Sequence, residues 1–222
     1  MTAYNLKRFL LDALYPNRCP FCGELIIHHA AYCPECLDAL SESVITAPLE
    51  PPDGVSGLIA VFRYGEFGEG VSRFVYSLKD SADGYAITAA ARLLSDALHE
   101  LPQPEVITCV PTDAMRLRER GYNPPALIAR EMSVISGLPC DTKLLRKVRE
   151  TEVQKSLSAA GRRENLRGAF ALNKRACPPE TVLIIDDVCT TGATLTEAAC
   201  VLTDAGVSAV YAAVVAVVGR GS

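Results

Sequence analysis

At 222 residues, 49% of them apolar and 22% charged, the chain is long enough for one α/β domain with a small appendage and apolar enough to bury a core, which excludes a disordered chain. No stretch approaches the roughly 20 apolar residues of a membrane span, and a formal net charge of −4 gives no overall attraction for nucleic acid. The charge is uneven, however. Thr112 to Arg175 holds 14 Lys and Arg against 7 Asp and Glu, a local +7 that leaves −11 for the rest. A basic middle of this kind suits a polyanion, either a phosphorylated small molecule or a strand of nucleic acid.

The predicted elements begin with a short amphipathic helix over residues 5–15. Leu6, Phe9, Leu10 and Leu14 lie on one face and Pro16 ends it. The apolar part is too short and too broken by charge for a secretory signal. A helix packed on the body of the protein fits it better than one lying on a membrane. Two cysteine pairs follow, Cys19/Cys22 and Cys33/Cys36, and then a Pro- and Gly-rich stretch from Ala47 to Gly57 that reads as a linker. The expected division is therefore residues 1–55, a helix and cysteine module with its linker, and residues 56–222, the main domain.

Within the main domain, strands are expected at Leu58–Tyr64, Glu105–Val110, Thr181–Asp187 and Ala209–Val218. Helices are expected at Ala86–Leu101, Asn123–Ser136 and Thr194–Ala205, the last closed by Gly206. Lys143–Arg149 and Ala169–Leu172 read as short antiparallel arms around a polar loop. Strands alternating with helices predict an α/β fold with a mostly parallel sheet.

Two Cys-x-x-Cys turns facing one another form a tetrahedral thiolate cage, the geometry and ligand softness that zinc prefers. The competing reading is four buried or redox-active thiols. Two pairs in so short a segment favour the metal, in a reducing and hence cytoplasmic setting. With four protein ligands no position stays open for substrate, so the expected zinc is structural. His28 and His29, between the pairs, are alternative ligands or plain loop residues. The other cysteines, Cys109, Cys140, Cys177, Cys189 and Cys200, read as structural.

The most informative run is Val182 to Thr194, VLIIDDVCTTGAT. An apolar strand delivers Asp186 and Asp187 to its carboxyl end, where open α/β sheets bind ligands. A turn of small and hydroxylated residues then opens a helix, offering backbone N–H groups and a positive dipole end to a phosphate. Thr190, Thr191 and Thr194 add hydroxyls, and Gly192 allows close approach. Carboxylates only accept hydrogen bonds, so the acids suit a sugar diol rather than the phosphate. An ordinary strand-turn-helix with threonine caps is the plainer alternative, but two successive acids at a buried edge argue against it.

This run closely resembles the phosphoribosyl pyrophosphate motif of type I phosphoribosyltransferases. Further matches are Val110-Pro111, Arg118 to Asn123, Thr151 to Gln154, Arg162 with Asn165, and Gly168 to Phe170. Together with the cysteine module, nearly the whole chain is similar to the ComF family, phosphoribosyltransferase-like proteins linked to bacterial competence and DNA uptake, with an amino-terminal zinc ribbon. The resemblance implies the type I phosphoribosyltransferase fold. It assigns Asp186 and Asp187 to the ribose hydroxyls, partly through Mg²⁺, and the loop Val188, Cys189, Thr190, Thr191, Gly192, Ala193 and Thr194 to the 5-phosphate. Pro111 to Gly121 would be the pyrophosphate loop, with Thr112, Arg116, Arg118 and Arg120 as its polar residues. Arg120, beside Gly121 at the start of a helix, is the favoured catalytic cation. Glu150 to Arg167 corresponds to the loop that covers the site, with Gln154, Arg162 and Asn165 as its polar members. Lys79 matches a lysine the family often carries.

The activity so implied is displacement of pyrophosphate from C1 of the ribose. Purine-salvage relatives usually carry an acid where Thr190 sits, so Thr190 argues against 6-oxopurine salvage. The alternative is a protein that senses phosphoribosyl pyrophosphate or a nucleotide and binds single-stranded DNA or a partner of the competence machinery. Stacking on single strands needs aromatics among the basic residues, and the basic region offers few beyond Tyr122 and Phe170. A regulator of purine or pyrimidine genes on the same fold is a third reading.

Overall fold

The computed structural model describes residues 17–26, 30–41, 45, 48–64, 68–80, 84–150, 159–173 and 178–218. The expected helix over 5–15, with His28, His29, Gln154 and Cys177, lies outside them. In chain order the elements are α1 (Pro34–Ser41), β1 (Gly57–Tyr64), α2 (Gly68–Asp80), α3 (Gly84–Asp96) with a 3₁₀ turn (Ala97–Glu100), β2 (Val106–Cys109), α4 (Ala114–Arg120), α5 (Pro124–Ser136), β3 (Leu145–Lys147), α6 (Ala159–Leu166), β4 (Phe170–Leu172), β5 (Thr181–Cys189), α7 (Ala193–Asp204) and β6 (Ala209–Val218).

Four strands form a parallel sheet in the order β1-β6-β5-β2, and β3 and β4 pair antiparallel beside it. Side chains alternate across a strand, so one that is apolar at every position must be covered on both faces. In β5, Leu183 and Ile185 point into one core and Val182 and Ile184 into the other. In β6, Ala213 and Val215 oppose Ala212 and Val214 in the same way. The first core is closed by α2, α3 and α5, through residues such as Phe74, Leu94 and Ile128. The second is closed by α7 and the small sheet, through Leu195, Leu202 and Phe170.

This two-sided packing fixes the site. The chain leaves the end of β2 toward α5 on one face and the end of β5 toward α7 on the other, although β2 and β5 are neighbours. Their carboxyl ends therefore diverge, opening the crevice where doubly wound sheets bind ligands.

Outside the cavity, three differences from expectation bear on how the body packs. Helix α2 was not read from the sequence, although Val71, Phe74, Val75 and Leu78 repeat with helical spacing and are all buried. The second cysteine pair is not a free-standing turn: α1 begins at Pro34, and its first turn carries Cys36. The stretch read as a linker is packed. Leu49 pairs antiparallel with Leu58, the Ile45 N–H donates to the Val61 carbonyl, and Val55 is buried, so the segment covers the otherwise open edge of β1.

Candidate functional site

Strand β5 runs on past its buried apolar half into Asp186 and Asp187. Asp186 is 8% exposed. Its Oδ1 accepts from the Asp187 N–H at 2.9 Å, and the Asp187 Oδ1 accepts from the Val188 N–H at 2.7 Å. The other Asp187 oxygen pairs with the Lys79 ammonium, on the last turn of α2, at 3.2 Å. Burial, then the charge of Asp187 alongside, push the Asp186 carboxyl well above the ordinary aspartate range. Among the described residues the two adjacent carboxyls are met by a single ion pair, that of Asp187 with Lys79.

The turn after the acids enters α7 at Gly192, whose φ is 78°. A Cβ there would also lie 2.6 Å from the Pro52 Cβ. Glycine is required twice over, by the left-handed backbone and by the segment packed on it. The Thr191 hydroxyl accepts from the Ala193 N–H at 3.4 Å. Helix α7 aims its amino-terminal N–H groups at a cavity of about 310 Å³. Every residue from Asp186 to Thr194 lines it.

The facing wall comes from the loop after β2. Thr112, Arg116 and Arg120 line the cavity, whereas Arg118 does not. The structure places Arg120 between two helices: it is the last residue of α4, which Gly121 terminates with φ 82°, and it stands three residues before Asn123, where α5 begins. Asp113 caps α4, its Oδ1 accepting from the Arg116 N–H at 2.8 Å. Its Oδ2 lies 3.5 Å from both the Arg116 Nε and the Lys147 Nζ. Burial alone would raise the Asp113 pKa. The Arg116 N–H and the two cations outweigh it and hold the carboxyl below its usual range. Burial in turn lowers the Lys147 pKa, which Asp113 only partly offsets. Asp113 and Lys147 both line the cavity, and the sequence reading named neither. Asn123 is a further missed residue: it lines the cavity, and its Nδ2 donates to the Val110 carbonyl at 3.0 Å.

Of the covering-loop residues, Asn165 lines the cavity and Arg162 lies in α6. Part of the expected loop is therefore helical, although Arg149, from the other arm, donates to the Asn165 and Arg167 carbonyls at 2.8 Å each.

Away from the cavity, the Sγ atoms of Cys19, Cys22, Cys33 and Cys36 all lie within 4.8 Å of one another. Those of Cys22 and Cys33 are 3.7 Å apart, close to the roughly 3.8 Å that tetrahedral zinc–thiolate bonds impose. The Cys33 N–H donates to the Cys19 sulfur at 3.5 Å, and the Cys36 N–H to the Cys33 sulfur at 3.4 Å. Burial pushes the Cys33 thiol up to about 11 and Cys36 further up, so an ion is needed to hold them as thiolates. Phe21, between the first two cysteines, stacks on Phe74 at 4.4 Å and meets Phe62 edge-on at 5.8 Å, joining the module to the main core.

Comparison with known proteins agrees with both parts. Residues 10–49 match the double zinc ribbon domain and residues 86–222 the phosphoribosyl transferase domain. The chain up to residue 49 has only four cysteines, enough for one such site. Competence protein F of Haemophilus influenzae is 32% identical over 85% of this chain and 80% of its own. The DNA utilization protein YhgH is 30% identical over 86% of both chains in Salmonella typhi, and over 86% of this chain and 80% of its own in Escherichia coli K12. Among solved structures, an adenine phosphoribosyltransferase from Thermoanaerobacter pseudethanolicus aligns with 82% of this chain and 99% of its own, at 14% identity and a TM-score of 0.41. That superposition is too loose to carry any residue across. The fold, the acid-and-threonine edge and the cysteine module agree with the two domain matches and the sequence relatives, and the chain belongs to the competence protein F family of phosphoribosyltransferase-fold proteins with an amino-terminal zinc ribbon.

Proposed function

We propose that the protein binds phosphoribosyl pyrophosphate with Mg²⁺ and acts as a phosphoribosyltransferase. The observation that carries this reading is the division of one cavity into two unlike walls. Acids followed by a threonine turn on a helix amino terminus stand on one side, and Arg116, Arg120 and Lys147 on the other. On this reading the α7 end takes the 5-phosphate through backbone N–H groups and the hydroxyls of Thr190, Thr191 and Thr194. Asp186 and Asp187 accept from the ribose diol. The cations of the facing wall hold the diphosphate, with Thr112 as a hydroxyl donor.

Magnesium fits the donor set. The two carboxylates are hard oxygen ligands, and the charge they leave unbalanced is the kind a divalent ion neutralises. When bound beside them it would supply charge stabilisation for the diphosphate. Arg116 and Arg120 bear the charge that grows on the leaving group as the bond to C1 of the ribose breaks. Asn165, which lines the cavity, helps to cover the bound sugar and exclude water, and the family resemblance assigns Gln154 and Arg162 to the same task. The ribbon, residues 1–55, serves as a structural module on a domain of residues 56–222. None of the described helices is long and apolar enough to cross a membrane. The proposed setting is the reducing cytoplasm, on the ground of the clustered thiols, with a role in competence or DNA use like that named for the relatives.

Calorimetric titration of the zinc-loaded protein with phosphoribosyl pyrophosphate and Mg²⁺ tests this. Micromolar-range binding is expected, lost in the Asp186→Asn/Asp187→Asn variant. A folded protein that binds none overturns the reading. A non-catalytic form of it, sensing the same ligand while gripping single-stranded DNA or a competence partner, draws on the relatives' names. It requires binding to single strands that falls steeply with salt.

A further inference from the structure

The acid edge has one cationic neighbour that belongs to neither cavity wall. Lys79 reaches Asp187 from α2, on the side of the sheet where the ribbon sits. Both acids already spend an oxygen on their own backbone, Asp186 on the Asp187 N–H and Asp187 on the Val188 N–H. The Val188 N–H alone leaves the plane of the Asp187 carboxylate able to turn about it, and Lys79, at 3.2 Å from the second oxygen, supplies the other contact that fixes the plane. A cation on the last turn of a helix is itself favoured by the helix dipole.

Helix α2 is anchored along its length. Arg73 donates through Nη1 to the Cys22 carbonyl at 2.7 Å. Phe74 stacks on Phe21 at 4.4 Å, with the rings 29° from coplanar. Near its carboxyl end the Leu78 carbonyl accepts from the Tyr122 hydroxyl at 3.2 Å. Arg73 and Lys79 are six residues apart, about 9 Å along a helix. One short helix therefore touches the first cysteine turn from its middle and the acid edge from its carboxyl end.

We propose that Lys79 is a positioning residue that fixes the Asp187 carboxylate for its ligand, and that the zinc ribbon sets the place of this lysine through Arg73 and Phe74. The ligand named in the test rests on the phosphoribosyl pyrophosphate reading; the positioning itself does not. Removing the ammonium frees the carboxylate and leaves two adjacent negative charges to repel one another.

The test has two readouts. In the zinc-loaded, ligand-free protein, amide hydrogen exchange at Asp187 and Val188 should quicken about five- to tenfold in Lys79→Met and stay near wild type in Lys79→Arg. Calorimetry with phosphoribosyl pyrophosphate and Mg²⁺ should show about five- to tenfold weaker binding for Lys79→Met, with most of it restored in Lys79→Arg. Arg73→Met, with its zinc content unchanged, should weaken binding about threefold although Arg73 does not line the cavity. Unchanged exchange and affinity in Lys79→Met overturn the proposal. So does weaker binding with unchanged exchange, which would mean that Lys79 touches the ligand directly. A wild-type affinity in Arg73→Met overturns the link to the ribbon. If the wild-type protein binds no phosphoribosyl pyrophosphate while exchange responds as expected, the functional reading fails and the positioning role stands.

Discussion

The two walls of the cavity are built by different physics. Helix α7, behind the threonine turn, buries Ala193, Leu195, Ala198, Ala199 and Leu202 in the core. Helix α4, which brings Arg116 and Arg120 to the opposite wall, buries nothing. It is seven residues long, held by the Asp113 cap at one end and the left-handed Gly121 at the other. An isolated helix of that length is not stable in water, so α4 exists by its caps and by the ion pairs of Asp113. The threonine wall is fixed by burial, whereas the arginine wall is held by local polar contacts and opens at low cost. If the proposed ligand binds as argued above, that asymmetry places rigidity at the 5-phosphate, which stays, and not at the diphosphate, which departs.

The largest effect is expected from breaking the fixed wall. Gly192→Ala forces a side chain onto a left-handed backbone, which costs about 1–2 kcal/mol, and drives its Cβ to 2.6 Å from the Pro52 Cβ. Pro52 belongs to the segment that covers β1, so relief requires that segment to shift as well. A total near 2–4 kcal/mol is expected, seen as a fall in Tm of about 5–10 °C. An unchanged Tm would mean that the turn is not held by the packed segment.

Breaking the soft wall should do less to the whole and more locally. Asp113→Ala removes the α4 cap, worth about 0.5–2 kcal/mol, and leaves the half-buried Lys147 without the carboxylate at 3.5 Å. Because α4 buries no residue, the loss should appear as faster amide exchange over Ala114–Arg120, with Tm lowered by only about 1–3 °C. A folded-state pKa held below the usual range stabilises above the ordinary aspartate range, and this is lost as pH falls through the folded value. The wild-type and Asp113→Ala proteins should therefore converge on acidification. A Tm loss as large as that of Gly192→Ala would contradict the contrast between the walls.

The same contrast governs what could be read in the sequence. The fixed wall was legible, because a fully buried parallel strand writes itself as a run such as Val182 to Ile185 and the acids stand where the run stops. The soft wall was legible only as a basic stretch. Residues 114–120 have no apolar stripe, so α4 leaves no periodic signal: Arg120 was read only as preceding the helix at Asn123, not as the end of a helix of its own. Lys147 and Asp113 were missed because they meet only when β3 folds back beside the loop after β2. The packing of Pro52 on Gly192, and of Phe21 on Phe74, joins parts of the chain far apart in sequence, beyond the reach of a local pattern. Helix α2 is a different case: its buried face at Val71, Phe74, Val75 and Leu78 has ordinary helical spacing and was readable.

The remaining expected effect has the opposite sign, and it separates what the fixed wall needs for folding from what it needs for binding. Asp186 is buried with its pKa raised, by burial first and then by Asp187. An acid of this kind holds its proton more tightly in the folded chain than in the unfolded one. Between the ordinary aspartate value, about 3.9, and the raised one, stability therefore increases as pH falls. Above the raised value the charge is a constant penalty. Asp186→Asn keeps an oxygen to accept from the Asp187 N–H and removes that charge. The free protein should gain about 1 kcal/mol at pH 8, a rise in Tm of about 2–4 °C, and the gain should shrink to nothing as pH approaches 4, where wild-type Asp186 is itself neutral. The same substitution should abolish binding of phosphoribosyl pyrophosphate. A variant that is both stabler and inactive means the carboxylate is kept for its ligand against the interest of the fold. A variant that is destabilised at pH 8 means that Lys79 and the backbone already balance the charge, and that the acid edge has no unmet need for a cation.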